Sequence, residues 1–206
     1  MSAIMVRHAD ALVRRERRTA LRRNQVLDAA ETCFLAEGFH GASISRIAAK
    51  AKMSAGHIYQ YFEGKEAIII ALCERRFQGF ENLLAAAEAS DRTDTEAYLD
   101  EWVSQFAWWI DPSRAPLTIE IMAEAGRNPK VAEVVTRIDR HFREIMRRSL
   151  LPLAGPLSDR EADLRLEAIV MLSHGMTSRI TADKSADPRE LLAAFRLAVG
   201  ELVTAA

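Results

Sequence analysis

The stretch from Ser43 to Lys65 constrains the fold most, because it contains two short helical patterns with room for only a turn between them. Ser43 and Ser54 each precede such a pattern, at a position typical of a helix N-cap. Apolar residues follow at helical spacing after each serine: Ile44, Ile47, Ala48 and Ala51, and then Ile58, Tyr59 and Phe62. Two helices this short cannot form a core alone. Crossed at a steep angle they can project the second into a DNA major groove, as in a helix-turn-helix.

Longer amphipathic helices are predicted on both sides of this stretch. The helix predicted over residues 22–37 ends at Gly38 and has one apolar face, with Val26, Ala30, Cys33 and Phe34. This face is suited to cover the inner sides of the two short helices, which gives a three-helix unit. A second long helix is predicted from Lys65 to about residue 89, so it starts at this unit and continues into the rest of the chain.

The composition is that of a globular chain. Its 206 residues are 49% hydrophobic and 28% charged, enough for one large domain or two small ones with a sizeable core. Cys33 and Cys73 each lie within an apolar helical pattern, so we expect buried thiols rather than a disulfide or a metal site. No apolar run could span a bilayer, and charges interrupt the N-terminus where a signal peptide needs an apolar segment. We therefore expect a cytoplasmic protein that does not enter a membrane.

The net charge of −1 conceals two parts of opposite charge. Residues 1–65 contain 11 Lys or Arg and 6 Asp or Glu, a net charge of +5, while the rest contains 17 and 23, a net charge of −6. The positive part coincides with the predicted helix-turn-helix, as expected for a segment that meets phosphates. Its N-terminal arm is rich in arginine. It is either a solvated terminus or an arm that follows the DNA backbone or enters a minor groove.

Helix start signals recur after residue 92. Thr93 with Glu96, and Ser158 with Glu161, have capping-box spacing. A potential cap also precedes proline in three places: Asp111-Pro112, Asn128-Pro129 and Asp187-Pro188. These signals predict helices over residues 94–110, 113–126, 129–150, 159–181 and 188–204. Because no alternating strand pattern competes, we expect an all-α fold of about nine helices.

Residues from about Val26 to Leu72 resemble the DNA-binding region of the TetR/AcrR family of bacterial transcriptional regulators. The resemblance is carried by the runs LDAAETCFLAEGF, SISRIAAKAKMS and GHIYQYFEGKEAII. It implies an N-terminal three-helix DNA-binding unit and a larger C-terminal helical body that binds a ligand and dimerises. We therefore expect a basic arm over residues 1–21, a helix-turn-helix domain over residues 22–66, and a ligand-binding and dimerisation domain over residues 67–206.

In this family the helix-turn-helix contacts the major groove, and the matching positions carry over one by one. The resemblance implies contacts from the start of the first short helix, from the leading edge of the recognition helix, and from residues that hold phosphates. These are Ser43, Ser45 and Arg46, then Ser54, Ala55, Gly56 and His57, and finally Tyr59, Tyr61 and Lys65. Hydroxyl, imidazole and ammonium groups can all donate to phosphate oxygens. His57 departs from the small polar residue common at its position, and Tyr59 fits a core position as well as a DNA contact.

Family members bind an effector between the helices of the second domain. Aromatic and large apolar residues at helical spacing are therefore candidates for a cavity wall, and polar residues among them are candidates to orient a ligand. The candidates are Phe77, Phe80, Trp102, Gln105, Phe106, Trp109, Glu120, His141, Phe142, Met146 and His174. The alternative for each apolar residue is ordinary core packing. The alternative for each polar residue is a position in the core or at its rim where it has a hydrogen-bond partner within the protein.

The last two helices are the expected dimer interface, because apolar stripes run along both. The stripes consist of Leu164, Ala168, Leu172 and Gly175 on the first helix, and of Leu191, Phe195, Val199 and Leu202 on the second. Two copies of this helix pair would form a four-helix bundle around a two-fold axis. Intramolecular packing is the alternative, but an operator with two half-sites needs two recognition helices.

The sequence therefore predicts a homodimeric repressor that binds palindromic double-stranded operator DNA and is released by a small, partly apolar effector. An enzyme is not expected, because we find no Gly-rich phosphate loop, no HExxH or CxxC spacing and no nucleophile elbow. We accordingly expect no catalytic residue, no metal and no cofactor. The alternative is a helical interaction protein whose basic end binds an acidic protein or a membrane surface.

Overall fold

The computed structural model describes residues 3–88 and 93–204, with side-chain positions for residues 12–87 and 93–204. The helices are α1 (Ala3–Gly41), α2 (Ile44–Ala51), α3 (Ala55–Ile58), α4 (Lys65–Glu88), α5 (Thr95–Ser104), α6 (Phe106–Trp109), α7 (Ala115–Ala125), α8 (Pro129–Ser149), α9 (Asp159–Ala182) and α10 (Pro188–Thr204). A short 3₁₀ helix, Leu151–Ala154, follows α8. No strand occurs within the described ranges, and the all-α prediction is confirmed.

The chain divides into two compact units, and the boundary between Leu72 and Cys73 lies inside α4. The first unit contains α1 to α3 and the start of α4, and the second contains the remaining helices. In the part of the chain that is described, no helix combines the length and the apolar character needed to cross a membrane.

Helix α1 begins far earlier than predicted, at Ala3 instead of residue 22. The intervening segment contains no glycine or proline and is rich in alanine, leucine and arginine, which all favour helix. Its side chains from Leu12 to Arg23 are exposed, so the described part of the arginine-rich arm is a solvent-facing helix. The other end agrees with the prediction. Gly38 interrupts the helix with a φ of 70°, which glycine adopts without steric cost.

The core of the first unit joins the buried faces of four helices. The buried residues are Val26, Ala30, Cys33 and Phe34 of α1, Ile47, Ala48 and Ala51 of α2, Ile58 and Phe62 in and after α3, and Ile68, Ile69 and Leu72 of α4. They include the predicted apolar positions of α1 to α3 with two exceptions, since Ile44 is partly buried and Tyr59 is exposed. Cys33 is buried here as a free thiol, as predicted from its apolar helical pattern.

The turn between α2 and α3 depends on Lys52, whose φ of 53° lies in the left-handed region. The N–H groups of Lys52 and Met53 donate to the carbonyls of Ala49 and Ala48, which closes the C-terminus of α2. Helix α3 is shorter than the predicted two turns. After Ile58 the chain continues in tighter turns, in which Gln60 and Tyr61 donate to carbonyls three residues earlier.

The second unit has its own apolar core around α5 and α6. Tyr98, Leu99, Trp102 and Phe106 are almost completely buried, and Tyr98 donates from its hydroxyl to the carbonyl of Ser149 at 3.2 Å. Core residues of α8, α9 and α10 surround this group: Ile145, Met146, Leu166, Ile169, Phe195, Val199 and Val203. The packing leaves a cavity among α4, α6, α7, α8 and α9.

Several helix starts in this unit differ from the prediction by one or two residues. Asp94, not Thr93, caps α5, since its carboxylate accepts from the N–H of Ala97 at 3.1 Å. Asp111 accepts from the N–H of Ser113 and closes a turn, so α7 begins only at Ala115. The helix predicted over residues 94–110 is divided into α5 and α6, because Gln105 donates to Trp102 in an i to i−3 turn.

Candidate functional site

The outer surface of α2 and α3 is polar and accessible. Among the predicted DNA contacts, the exposed residues are Ser43, Ser45, Arg46, Ser54, Gly56 and Tyr59, and the partly buried ones are Ala55, His57, Tyr61 and Lys65. Among the described residues, apart from the adjacent chain, no atom lies within 4 Å of the place that a Cβ atom on Gly56 would take, so this edge of α3 admits close approach of another molecule.

Ser43 and Ser54 are both helix caps. The hydroxyl of Ser43 accepts from the N–H of Arg46 at 3.2 Å, and that of Ser54 accepts from the N–H of His57 at 3.1 Å. These bonds satisfy backbone donors that the first turn of a helix leaves without partners. The serines therefore set the start of each helix, whether or not they also contact a ligand.

His57 and Tyr61 form a pair on the exposed side of α3. The Nε2 atom of His57 lies 3.2 Å from the hydroxyl of Tyr61, and the two rings are 5.3 Å apart. The bond fixes both side chains relative to the helix. Tyr59 is 56% exposed, so the core position that its spacing also allowed is not the one it adopts.

Two of the predicted cations are engaged within the first unit. The guanidinium of Arg46 forms an ion pair with Glu37. The ammonium of Lys65 donates to the carbonyls of Phe39 at 2.5 Å, Ala42 at 2.9 Å and His40 at 3.3 Å. Lysine has three N–H donors, and in this conformation two of them bond closely to carbonyls at the C-terminal end of α1. Lys65 therefore closes that end of the helix.

Two residues at the N-terminal side of the buried part of α1 hold the helix-turn-helix, and the sequence did not single them out. Arg23 donates to the carbonyl of Tyr61 at 2.7 Å, and its guanidinium lies 4.4 Å from the ring centre of Phe62. Gln25 donates to the carbonyl of Ala51 at 2.6 Å. Arg23 closely follows the predicted arginine-rich arm, and charge alone does not distinguish an arginine that makes a tertiary contact from one that is solvated.

The second unit contains a cavity of about 390 Å³. The predicted ligand contacts that line it are Phe77, Phe80, Phe106, Trp109, Phe142 and His174. The ring of Phe80 is central, with ring-to-ring distances of 5.1 Å to Phe106, 5.2 Å to Trp109 and 5.8 Å to Phe142. An aromatic wall is thus formed by the rings of Phe80, Phe106, Trp109 and Phe142. It is suited to contact an apolar or aromatic group of a ligand.

The other five predicted ligand contacts lie elsewhere. Trp102 and Met146 have no exposed surface and belong to the core. Gln105 donates to the carbonyl and carboxylate of Glu101, and Glu120 is partly buried on α7 outside the lining. Helical spacing identifies a shared face, but it does not say which residues of that face border a void.

His141 lies in a separate recess between α4 and α8. Its Nε2 atom is 2.7 Å from Glu81, and its Nδ1 atom is 3.5 Å from Glu144. The hydrogen bond with Glu81 raises the pKa of His141 above its usual value. The residue thus connects α4 to α8, and its ring packs edge-on against Phe77 at 5.6 Å without lining the cavity itself.

The cavity lining also includes polar residues that the sequence did not single out. They are Arg76, Thr118, Thr136, Asp139, Arg143, Glu167 and Ser173. Arg76 shares a stripe with Cys73, Phe77 and Phe80 at spacings of three and four, and this pattern could have identified it. Burial raises the pKa of the Cys73 thiol to about 12, so it lines the cavity as an unreactive, uncharged group.

Exposed apolar residues occur on both α9 and α10. Leu164, Leu172 and Leu197 are 60%, 39% and 69% exposed, and Gly175 is also exposed. Ala168 is partly buried, and Leu191 and Leu202 pack at the edge of the core. Phe195 and Val199 are buried in the core, so the predicted intermolecular role is wrong for these two residues. Their face of α10 points inward, and Leu197 is on the opposite face.

The chain is similar in sequence to known bacterial transcriptional regulators. Residues 26–72 match the family model of the bacterial regulatory proteins, tetR family. The HTH-type transcriptional regulator UidR of Escherichia coli K12 is 27% identical over 190 residues, which cover 89% of this chain and 93% of UidR. The HTH-type transcriptional repressor NemR of the same strain is 30% identical over 106 residues, covering 50% of this chain and 53% of NemR.

A solved structure extends the similarity to the fold of most of the chain. The regulator FadR of Bacillus subtilis, in complex with stearoyl-CoA, has a TM-score of 0.72 and 22% identity, and the match covers 88% of this chain and 98% of that one. At this identity the match concerns the fold alone.

Proposed function

Since the chain belongs to the TetR family of bacterial regulatory proteins, we propose that it is a homodimeric repressor that binds palindromic operator DNA and is released by a small, partly apolar effector. The observation that carries the proposal is the outer surface of α2 and α3. It combines capped helix starts with exposed groups that can donate to phosphates and base edges, in the unit that bears the positive charge.

The exposed leucines of α9 and α10 support the dimer. Large leucines at about 60–70% exposure are costly in water and gain free energy when a second copy covers them. A dimer presents two recognition helices to two half-sites, which one short helix cannot contact alone. Replacing Leu197 with glutamate should yield monomers in analytical ultracentrifugation. The matched change of Leu35, which is 38% exposed on α1, should leave the mass unchanged.

The cavity supports effector control, and α4 is the proposed link. This helix begins with Lys65, which holds the end of α1, and further along it carries Phe77 and Phe80 of the cavity wall. An effector that shifts α4 would change the separation of the two recognition helices. A coupling of about 1–3 kcal/mol, common among allosteric proteins, would weaken operator binding roughly 5–150-fold.

The test is to select and sequence the genomic DNA fragments that the purified protein retains at moderate salt. We expect a palindromic consensus. Replacing Tyr59 with alanine should then weaken binding to that consensus about tenfold or more, because a hydroxyl bond to a charged phosphate is lost in each protomer. The control is Leu35→Ala in the same unit. Absence of any selected sequence at moderate salt would refute the proposal.

The alternative role, binding of an acidic protein or a membrane surface through the basic end, has a distinct outcome. The arginines of α1 would then bind vesicles containing anionic lipid, and Tyr59→Ala would not weaken that binding. The polar outer face of α2 and α3 favours DNA, since membrane attachment needs a large apolar face beside the basic one.

A further inference from the structure

The cavity in the second unit has two polar ends that differ in charge and exposure. Four of its described lining residues carry formal charges: Arg76, Asp139, Arg143 and Glu167. Arg76 is 4% exposed, whereas the side chains of Asp139, Arg143 and Glu167 are 35%, 28% and 51% exposed. Arg76 therefore marks an inner end, and the other three residues form a rim in contact with water.

The charges of the rim are paired with one another. Arg143 donates from Nε to Asp139 and from Nη2 to Glu167, both at 2.8 Å. One guanidinium between two carboxylates leaves a net charge of −1, which opposes entry of a second anion at this end. The imidazole of His174 lies in the same cluster, and loss of surrounding water lowers its pKa, so it adds no positive charge at neutral pH.

The guanidinium at the inner end is held in a fixed orientation. Its Nη2 atom donates to the carbonyl of Arg114 and to the hydroxyl of Thr118, each at 3.1 Å. The rings of Trp108 and Trp109 lie 5.3 and 5.6 Å from the guanidinium carbon. The planar fork of an arginine matches a carboxylate, and the match is strongest when water is excluded and the side chain is already oriented.

The aromatic wall around Phe80 adjoins Arg76 through Trp109 and also includes Phe142, which precedes Arg143 in the chain. A volume of about 390 Å³ is near the lower limit for small-molecule sites, and it suits a ring or a compact alkyl group better than a large polar molecule. Trp109 borders both the wall and the inner end, since its ring faces Phe80 and the guanidinium of Arg76. A ligand can therefore contact the apolar wall and the cation together.

We infer that the effector is a monocarboxylate with an aromatic or compact apolar body, bound with its carboxylate toward Arg76 and Thr118 and its body against Phe80 and Trp109. The inference rests on the proposed function, because it specifies the chemical class of the effector that the regulator would sense. The negative rim fixes the direction of the ligand, since the anionic group is favoured only at the inner end.

The test uses three probes that differ only in the terminal group: 3-phenylpropionate, 3-phenylpropionamide and 3-phenylpropylamine. Binding to the full-length protein is measured by isothermal titration calorimetry. We expect the acid to bind at least about tenfold more tightly than the amide, as befits a hydrogen bond to a charged group in a buried site. The amine should bind more weakly still, because it places a cation beside Arg76.

Replacing Arg76 tests whether this residue confers the preference for the acid. Arg76→Met keeps the length of the side chain and removes its charge, so the affinity for the acid should fall to that for the amide. Arg140→Met, on the exposed side of α8, is the matched control and should leave the ratio unchanged. If Arg76→Met does not fold, Arg76→Lys keeps the charge without the fork and should reduce the preference for the acid without abolishing it.

The inference is overturned if the amide or the amine binds as tightly as the acid, if Arg76→Met keeps the preference, or if no probe binds at millimolar concentration. Its failure is separable from that of the proposed function, because fragment selection requires no ligand. Operator binding without a preference for the acid refutes only the ligand class. A preference for the acid without any operator refutes only the regulator.

Discussion

Replacing Lys65 with methionine distinguishes two roles for this residue. The family resemblance implies a phosphate contact, whereas in the structure the ammonium donates to the carbonyls of Phe39, His40 and Ala42. Methionine keeps most of the apolar stem and removes every donor. A structural role predicts a loss of stability, and a phosphate contact predicts a loss of salt-dependent DNA binding.

The expected loss follows from the geometry of the bonds. Hydrogen bonds to charged groups contribute about 1.5–3 kcal/mol each, and we take the lower value because Lys65 is only partly buried. The bonds of 2.5 and 2.9 Å count fully and the one of 3.3 Å is neglected. The free energy of unfolding should therefore fall by about 3 kcal/mol, a large part of the roughly 5–15 kcal/mol typical of a domain.

Two measurements on the same variant test this reasoning. Urea denaturation gives the change in stability, with Lys50→Met on the exposed side of α2 as the control that should change little. The dependence of DNA binding on salt gives the number of phosphates contacted, and each lost contact lowers the log–log slope by about 0.9. We expect an unchanged slope. A stability loss below about 0.5 kcal/mol together with a smaller slope would refute the structural role.

Three further predictions concern other parts of the chain. Lys52→Gly should raise the free energy of unfolding by about 1 kcal/mol in urea denaturation, because Lys52 has a φ of 53° that glycine adopts without strain; no gain would contradict this. Deleting residues 2–18 should lower the salt slope of nonspecific DNA binding by about 0.9 for each phosphate that the exposed arginines of α1 contact, and an unchanged slope would exclude such contacts. The hydrogen bond with Glu81 raises the pKa of His141 in the folded state, so its stabilisation is complete below the unfolded pKa of about 6.5 and is lost as pH rises through the folded pKa. The destabilisation by His141→Gln should accordingly be larger at about pH 5.5 than at about pH 8, and the reverse order would refute the assignment.

The features predicted correctly from the sequence depend on local physical chemistry. Ser43 and Ser54 cap the two short helices, and Ser158 forms the predicted capping box with Glu161. Asn128 caps α8 immediately before a proline. Each signal involves residues within four positions of one another, so it is visible without knowledge of the fold.

The features that were missed depend on contacts between distant residues. The role of Lys65 at the end of α1 joins residues 23 to 26 positions apart, and the bond from Arg76 to Thr118 joins residues 42 positions apart. Leu197 and Val199 also show the limit of pattern reading, since both are apolar on α10 but one is exposed and the other is buried. Only the packing of α10 against its neighbours decides between them.

Helix α4 gives a physical reason why effector and DNA binding can be coupled. A ligand shifts an equilibrium only if it interacts differently with the two states, so some element must differ between them at the cavity and at the DNA-binding unit. Helix α4 reaches both places, since Arg76 and Phe80 line the cavity and Lys65 bonds to the end of α1, and it is therefore the element through which we propose that the coupling passes. Lys65→Met should therefore weaken the effect of an effector on operator binding while leaving the affinity for the effector itself unchanged. If release by the effector persisted in full, the coupling would have to pass through other contacts.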